Sequence, residues 1–260
     1  MNEATAERFA DYSLQVAAKF RRRDALLANR LKLFRRAYRP LRAALGGARR
    51  VLDWGCGSGD LLLFLAEATR AEIVGFDPSR SQLDCARSRC EGLANVRCTS
   101  DPRQAEGPFD LVFSSHVVEH VPDAELAGFF RALLTRLAPG GKLVVATPNG
   151  LNPLAHAFYM ASDVTHVRMH SPFTLNELAA PHGYQVAGVY RETPQSYDLL
   201  SSAKTAVWWL SSGLLKPFML ATAGGVRGLR FPLLMAPTFY CVIERASVGE
   251  AGGSGACGAS

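Results

Sequence analysis

Hydrophobic residues after residue 50 alternate between two kinds of segment. Short apolar runs that suit buried strands occur as RRVLDWG, AEIVGFD, NVRCTSD, FDLVFSS and KLVVATP. Between them lie longer segments with helical periodicity, among them DLLLFLAEATR, SRSQLDCARSRCEG and a helix predicted from about Asp123 to Leu137 that the sequence PGG ends. Alternating strands and helices are typical of β-α-β units and a parallel sheet. The pattern therefore predicts five strands by residue 148.

One helix and two strands are predicted in the rest of the chain. A loop rich in proline and asparagine follows residue 148, and SPFTLNELAAPHG then forms a helix that Ser171 or Thr174 would cap. The remaining strand candidates are YQVAGVYRE and PTFYCVIER. With 260 residues, of which 48% are hydrophobic and 20% charged, the chain fits one such domain with additions.

The segment 205–234, between the last two strands, is apolar but interrupted. It contains Lys216, Pro217 and Arg227, whereas a transmembrane helix needs about 20 unbroken apolar residues. Two interpretations stay open: the segment covers a substrate pocket, or it lies in a bilayer interface with Trp208 and Trp209 as anchors.

The N-terminal segment carries most of the positive charge. Residues 1–50 contain thirteen Lys or Arg and four Asp or Glu, while the whole chain has a net charge of +6. Apolar residues recur there at helical spacing until Gly46 and Gly47, which predicts amphipathic helices. The cluster at 21–23 is either a solvated helix face or a contact for nucleic acid, an anionic membrane or an acidic substrate.

Four regions follow from these patterns. They are a basic amphipathic helical extension at 1–48, the main α/β domain at 49–246, an apolar insertion at about 200–235 within it, and a disordered tail at 247–260. The six cysteines show no C-x-x-C pair and no zinc-ligand spacing with histidine, so reduced thiols are expected. Because the N-terminus lacks an apolar signal region, a cytoplasmic location is expected, with peripheral membrane contact left open.

The stretch VLDWGCGSGD, residues 51–60, is the first candidate for chemistry. Its glycines follow the spacing Gly55-x-Gly57-x-Gly59, which differs from the G-x-G-x-x-G of dinucleotide loops, and no G-K-[ST] of a phosphate loop follows. Asp53 precedes the loop and would repel a pyrophosphate, but it could pair with an ammonium group. The loop therefore suits a cationic ligand without phosphate.

Two more acids end the next predicted strands. Asp77 follows the second strand, where a carboxylate can accept hydrogen bonds from both hydroxyls of a ribose, and Asp101 follows the third, where it could meet an adenine edge. A helix cap is the alternative role for Asp77, since Pro78 comes next. Because the carboxyl ends of parallel strands share one edge of a sheet, the three acids are expected to line one crevice.

These motifs together resemble the class I S-adenosylmethionine-dependent methyltransferases. The resemblance covers roughly residues 50–190 and rests on VLDWGCGSGD, GFDPS, Asp101, FDLVFSSHVVEHVPD and LAPGGKLVVATPN, in the order of the family. It implies a Rossmann-like, seven-stranded, mostly parallel sheet with helices on both faces and an antiparallel last strand. It also implies S-adenosylmethionine as cofactor, spread across the first strand ends.

The resemblance implies roles for individual residues. The methionine end of the cofactor would contact Asp53, Gly55, Cys56 and Gly57, the ribose Asp77 and Pro78, the adenine Asp101, and the methionine carbonyl and sulfonium Ser114 or Ser115. The loop departs from the family at Trp54 and Cys56, whose side chains are expected to pack outward.

The acceptor side is expected among histidines. A sulfonium methyl is already activated, so a hydroxyl acceptor mainly needs alignment and a general base, for which histidine is suited near neutral pH. His116 and His120 follow the fourth strand; His116 is a candidate base, and His120 either contacts substrate or fixes the loop.

A second polar cluster, DVTHVRMHSPFTLNEL, lies at 163–178. It resembles the substrate side of methyltransferases that act on quinone precursors, glycan- or lipid-linked intermediates and natural products. This resemblance makes His166 a candidate base and places Arg168 and His170 against the acceptor, with Arg168 suited to an acidic group. A capped helix entry is the structural alternative. No metal is expected, because no close carboxylate pair remains beyond the cofactor acids.

The sequence favours methyl transfer, and two hypotheses stay open. The first hypothesis is transfer to an oxygen of a small or lipid-linked acceptor, and the second is a silent cofactor-binding or membrane-associated partner module. The glycine spacing disfavours an NAD-linked oxidoreductase. Nucleic-acid methylation is disfavoured because SSHVVEH stands where base methyltransferases commonly carry N-P-P-[YFW].

Overall fold

The structure, a computed structural model, describes residues 27–191 and 236–246. The basic cluster at 21–23, the segment 205–234 with its two tryptophans, and the tail 247–260 lie outside these residues. Within the described ranges, none of the helices combines the length and the apolar character needed to cross a bilayer.

Seven strands form one sheet in the described part of the chain. They are β1 (Arg50–Trp54), β2 (Glu72–Phe76), β3 (Val96–Thr99), β4 (Phe109–Ser115), β5 (Leu137–Pro148), β6 (Tyr184–Arg191) and β7 (Thr238–Arg245). Their order is β3-β2-β1-β4-β5-β7-β6, with β7 antiparallel to both of its neighbours and the first five strands parallel. The predicted Rossmann-like sheet with an antiparallel last strand is confirmed.

Seven α-helices accompany these strands in the described residues. They are α1 (Leu27–Ala37), α2 (Arg42–Gly47), α3 (Asp60–Ala68), α4 (Arg80–Arg89), α5 (Asp123–Leu134), α6 (Pro153–Ser162) and α7 (Pro172–Ala179). Short 3-10 turns occur at Arg39–Leu41, Pro102–Ala105, Val118–His120 and Ala180–His182.

Helices cover both faces of the sheet, which explains the continuous apolar runs of its strands. Consecutive residues of β1, Val51 and Leu52, are both fully buried but belong to different cores. The core of Val51 also contains Leu61 and Leu65 of α3, whereas the core of Leu52 contains Phe130 of α5. Each central strand therefore has no polar face.

The described part of the predicted N-terminal extension packs on the sheet. Tyr38, Leu41 and Leu45 are buried in the same core as α3. The hydroxyl of Tyr240, on β7, donates a hydrogen bond to the carbonyl of Ala37 over 2.6 Å. Residues 27–47 thus contribute to the sheet's core.

Two sequence predictions need correction. A loop was expected after residue 148, but α6 begins there at Pro153: the buried Asn152 side chain accepts hydrogen bonds from the amides of Leu154 and Ala155, both over 3.1 Å. An asparagine cap followed by proline is a helix start, so the signal was present. The second correction concerns α5, which ends at Leu134, and the PGG expected to end it lies inside β5.

Candidate active site

The candidate site lies at the carboxyl ends of the parallel strands. β1 pairs with β2 on one side and with β4 on the other, so the chain order reverses between β1 and β4. Open α/β sheets bind ligands in the crevice at such a switch point. The loops after β1, β2 and β4 therefore determine what the crevice can hold.

The loop after β1 folds over the end of β2. The amides of Gly55 and Cys56 donate to the carbonyl of Phe76 over 2.7 and 3.0 Å, and the amide of Gly57 donates to Asp77 Oδ2 over 2.8 Å. Gly55 has a φ of 86°, and a Cβ there would overlap Cγ2 of Val117 in the loop after β4. Glycine is thus required at residue 55 both for its backbone conformation and for the close approach of the two loops.

Asp53 presents a buried carboxylate beside this loop. It is 1% exposed, and its Oδ2 has no hydrogen-bond donor among the described residues. Burial, followed by the negative charge of Asp77, raises the pKa of Asp53 well above its usual value. A carboxylate oxygen that is buried without a donor is costly, and an ammonium group supplies donors and charge. Asp53 therefore fits the amino-acid end of a cofactor of this charge.

Asp77 is held in place by backbone donors. Its Oδ2 accepts from Gly57 and its Oδ1 accepts from the amide of Ser79 over 2.9 Å. Burial raises its pKa to about 6, although these two backbone hydrogen bonds oppose the shift. Ser79 is the N-cap residue of α4, so the helix-cap alternative for Asp77 is not what the structure shows. Each carboxylate oxygen keeps a second lone pair, which suits ribose hydroxyls.

The other residues assigned to the cofactor differ in their surroundings. Asp101 accepts hydrogen bonds from the side chain of Arg103, with Nη2 at 2.9 Å, and from the amide of Arg103. These hydrogen bonds lower the pKa of Asp101. The hydroxyl of Ser114 is fully buried and has no partner among the described residues, whereas Ser115 is half-buried. Pro78 is half-buried between Asp77 and the cap of α4. These residues remain predicted contacts for adenine, the sulfonium end and ribose.

Trp54 and Cys56 do not pack outward, contrary to expectation. Trp54 is 8% exposed, stacks on Phe76 with ring centroids 4.0 Å apart, and lies beneath the guanidinium of Arg136. Cys56 is buried in the opposite core, and this burial raises the pKa of its thiol well above the usual value. Its amide already donates to Phe76, so a cofactor contact of Cys56 is left to its carbonyl.

His116 and Glu119 form a hydrogen-bonded pair directly after β4. Nδ1 of His116 lies 3.2 Å from Oε1 of the fully buried Glu119, whose Oε2 accepts from the hydroxyl of Thr147 over 3.0 Å. Burial opposes ionisation of Glu119, but the hydrogen bond and charge of His116 and the charge of His120 together hold its pKa below the usual value. The sequence analysis assigns no role to Glu119, although it directly precedes His120 in FDLVFSSHVVEHVPD, which was a signal.

His120, which directly follows Glu119 in the chain, contacts His166. Their ring centroids are 4.7 Å apart. Nδ1 of His120 lies 2.9 Å from the hydroxyl of Thr165, which itself donates to Asp163 over 2.6 Å. Nδ1 of His166 donates to the carbonyl of Tyr159 over 2.8 Å. Burial is the main reason that the pKa of His120 is below its usual value.

Arg168 and His170 lie in different environments. Arg168 is half-exposed and pairs with Asp123 over 3.3 Å, while its amide and that of Val167 donate to the carbonyl of Glu119. His170 is 1% exposed, forms a backbone bridge with Asn149, and has a pKa lowered chiefly by burial. Arg168 can thus reach an acceptor from the surface, whereas the imidazole of His170 faces the protein interior.

Comparisons with known proteins agree on one kind of domain. A family model described as a methyltransferase domain matches residues 17–188. Ubiquinone biosynthesis O-methyltransferase of Bradyrhizobium diazoefficiens is 38% identical over 112 residues, which are 40% of this chain and 42% of that protein. This chain therefore matches about two-fifths of that relative's length.

Two longer matches extend the comparison. Trans-aconitate 2-methyltransferase of an Acidovorax species (strain JS42) is 30% identical over 189 residues, covering 66% of this chain and 70% of that protein. The solved structure of magnesium protoporphyrin IX methyltransferase from Synechocystis PCC 6803 with bound SAH has a TM-score of 0.59 at 17% identity, covering 93% of this chain and 100% of that one. The latter likeness concerns the fold alone.

Proposed function

We propose that this chain, which belongs to the methyltransferase-domain family, transfers the methyl group of S-adenosylmethionine to an oxygen of a small or lipid-linked acceptor. The donor supplies a methyl group that its positive sulfur already activates. Asp53 and the glycine loop would hold the amino-acid end, and Asp77 the ribose. The buried oxygens of Asp53 and Ser114, which have no hydrogen-bond partner within residues 27–191 and 236–246, support this assignment.

The pair of His116 and Glu119 is the observation that carries the choice of oxygen as acceptor. Because the carboxylate of Glu119 accepts a hydrogen bond from the N–H at Nδ1 of His116, the lone pair of the neutral imidazole is on Nε2. A histidine held in this tautomer is suited to accept the proton of a hydroxyl, and Glu119 stabilises the imidazolium that results. His116 also has a φ of 56°, a strained conformation that a non-glycine residue keeps mainly where it has a function.

The acceptor class is inferred from the surface beside this pair. The half-exposed Arg168 offers a guanidinium to an acidic group, which agrees with the trans-aconitate relative. Apolar side chains are also exposed around α6, with Phe158 64% and Val164 84% exposed, and such a surface suits an isoprenoid or lipid chain. In either kind of acceptor, the oxygen that would need His116 as a base is a hydroxyl.

His116→Gln tests this function. We expect kcat to fall by about 10²- to 10⁴-fold, because the general base is lost, while the Kd for S-adenosylhomocysteine in calorimetry stays within about twofold. The rise of kcat with pH that a histidine base produces should also disappear. The assay offers methyl-labelled S-adenosylmethionine with a carboxylic acid, a phenol and an isoprenylated phenol as separate acceptors.

The matched control is His156→Gln, because His156 is an exposed histidine on α6 with no assigned role. It should leave kcat and its pH profile unchanged. An unchanged kcat in His116→Gln would exclude His116 as the base. Binding of S-adenosylhomocysteine without transfer to any of the three acceptors would favour the silent module.

A further inference from the structure

Three potential metal ligands meet in the structure, two of them adjacent in the sequence and the third more than one element away. Glu119, His120 and His166 each offer one ligand atom, and these atoms all lie within 4.8 Å of one another. Ligand atoms bound to one tetrahedral ion at about 2.1 Å stand about 3.4 Å apart. Side-chain movements of about 1 Å would therefore bring the three atoms to one ion.

Both imidazoles are oriented as metal-binding histidines are. Metal-ligating histidines almost always donate their other ring N–H to a carboxylate, carbonyl or similar group. Nδ1 of His166 donates to the carbonyl of Tyr159, and Nδ1 of His120 donates to Thr165, whose hydroxyl proton is committed to Asp163. The lone pair of each neutral ring is thereby placed on Nε2.

The charges in this cluster also favour a cation. Glu119 contributes a fully buried acidic side chain beside the two imidazoles. Asp163, which accepts hydrogen bonds from the amide and the hydroxyl of Thr165, is a second acidic side chain in this cluster. The Glu119 oxygens accept from His116 and Thr147, and each oxygen retains a further lone pair for an ion.

We propose that Glu119, His120 and His166 bind a divalent first-row transition ion such as Zn²⁺. Two imidazole nitrogens and one carboxylate match this class, whereas Mg²⁺ and Ca²⁺ prefer oxygen ligands alone. Three protein ligands leave a coordination position open, and an acceptor oxygen bound there would ionise more readily. The metal site itself does not depend on the proposed oxygen methylation.

Cobalt absorption spectroscopy tests the site. The full chain is first freed of metal with a chelator, and Co²⁺ is then added. Co²⁺ should bind with one ion per chain and give visible bands of nitrogen and oxygen ligands, without the charge-transfer band of a thiolate. His166→Ala should weaken binding at least about 100-fold, while Thr165→Val, which keeps all three ligands, should weaken it about 10- to 100-fold. Zn²⁺ should displace the Co²⁺.

His156→Ala is the matched control and should bind Co²⁺ as the unaltered chain does. Binding of S-adenosylhomocysteine by each variant verifies that it is folded, so a loss of Co²⁺ alone supports the site. A thiolate charge-transfer band, or equal Co²⁺ affinity in His166→Ala and His156→Ala, would overturn the proposal. Methylation that persists in metal-free protein would overturn the binding of the acceptor oxygen to the ion, while Co²⁺ binding would still support the metal site.

Discussion

Two carboxylates beside the glycine loop are buried where ionisation is unfavourable in the free protein. In the part of the chain that the structure describes, one oxygen of Asp53 lacks a donor, and Asp77 has a pKa raised to about 6 despite two backbone hydrogen bonds. Perturbed carboxylates in a crevice are typical of functional sites, since a ligand with positive charge and hydroxyl donors offsets the cost of burial. The same property makes ligand binding sensitive to pH.

We expect the affinity for S-adenosylhomocysteine to fall about tenfold from about pH 7.5 to about pH 5, because Asp77 takes up a proton near pH 6 and then accepts hydrogen bonds less well. Without ligand, the free energy of unfolding should fall as the pH rises from about 4 to about 6, because folded Asp77 holds a proton that the unfolded chain has released. Calorimetry and urea unfolding measure the two effects.

Asp101→Asn is the control for this titration. The pKa of Asp101 is lowered, so this side chain does not change its protonation between about pH 5 and about pH 7.5. Asp101→Asn should keep the pH dependence of binding, while Asp77→Asn should bind weakly at every pH. An affinity that does not change with pH in the unaltered chain would refute the role of Asp77.

At the scale of elements, the loops after β1 and β4 are fitted to each other. Gly55 approaches Val117 so closely that no Cβ fits between them, and the loop after β4 places His116 and Glu119. The shape of the donor site and the position of the candidate base are thus connected through one contact. A change in either loop is expected to affect both.

Gly55→Ala should destabilise the chain more than Gly92→Ala in urea unfolding. Both glycines have left-handed backbones, with φ of 86° and 83°, so each substitution costs about 1–2 kcal/mol. Only the Cβ at residue 55 meets Val117, which adds about 1–3 kcal/mol, whereas nothing lies within 4 Å of a Cβ at residue 92. Val117→Ala combined with Gly55→Ala should recover most of the added cost; equal losses in the two single variants would contradict this contact.

At the scale of the whole molecule, aromatic side chains join the N-terminal helices to the far strands. Tyr240 of β7 lies between Tyr38 and Tyr190, with ring centroids 5.0 Å from each. Its hydroxyl reaches the last carbonyl of α1. Residues near the beginning of the described chain are therefore held by a strand that follows the segment 192–235.

Tyr240→Phe should lower the free energy of unfolding by about 1 kcal/mol, since it removes the buried hydrogen bond to Ala37 and keeps the ring. Tyr184→Phe, on the neighbouring β6, should change it by less than about 0.5 kcal/mol. Urea unfolding compares the two. An unchanged free energy of unfolding in Tyr240→Phe would show that the hydrogen bond to Ala37 does not stabilise the fold.

The sequence by itself determined the strands, most helices and the family, because these depend on local periodicity and on motifs in order. All seven strands were predicted, as was the cap of α7 by Ser171, which receives the amide of Thr174. α6 was missed because the asparagines and proline before it suggested a loop, although Asn152 caps the helix. The composition of this segment is typical of a loop, whereas the position of Asn152 directly before Pro153 marks the start of a helix.

Only the tertiary structure decided how the candidate site is assembled. Trp54 and Cys56 pack inward because each face of β1 has its own helical cover. The contact of His120 with His166 depends on the paths of two loops, whose close approach leaves no periodic signal in the chain. The pairing of Glu119 with His116 depends on the turn that follows β4. Local sequence can specify secondary structure, but the meeting of distant side chains is set by the packing of the whole sheet.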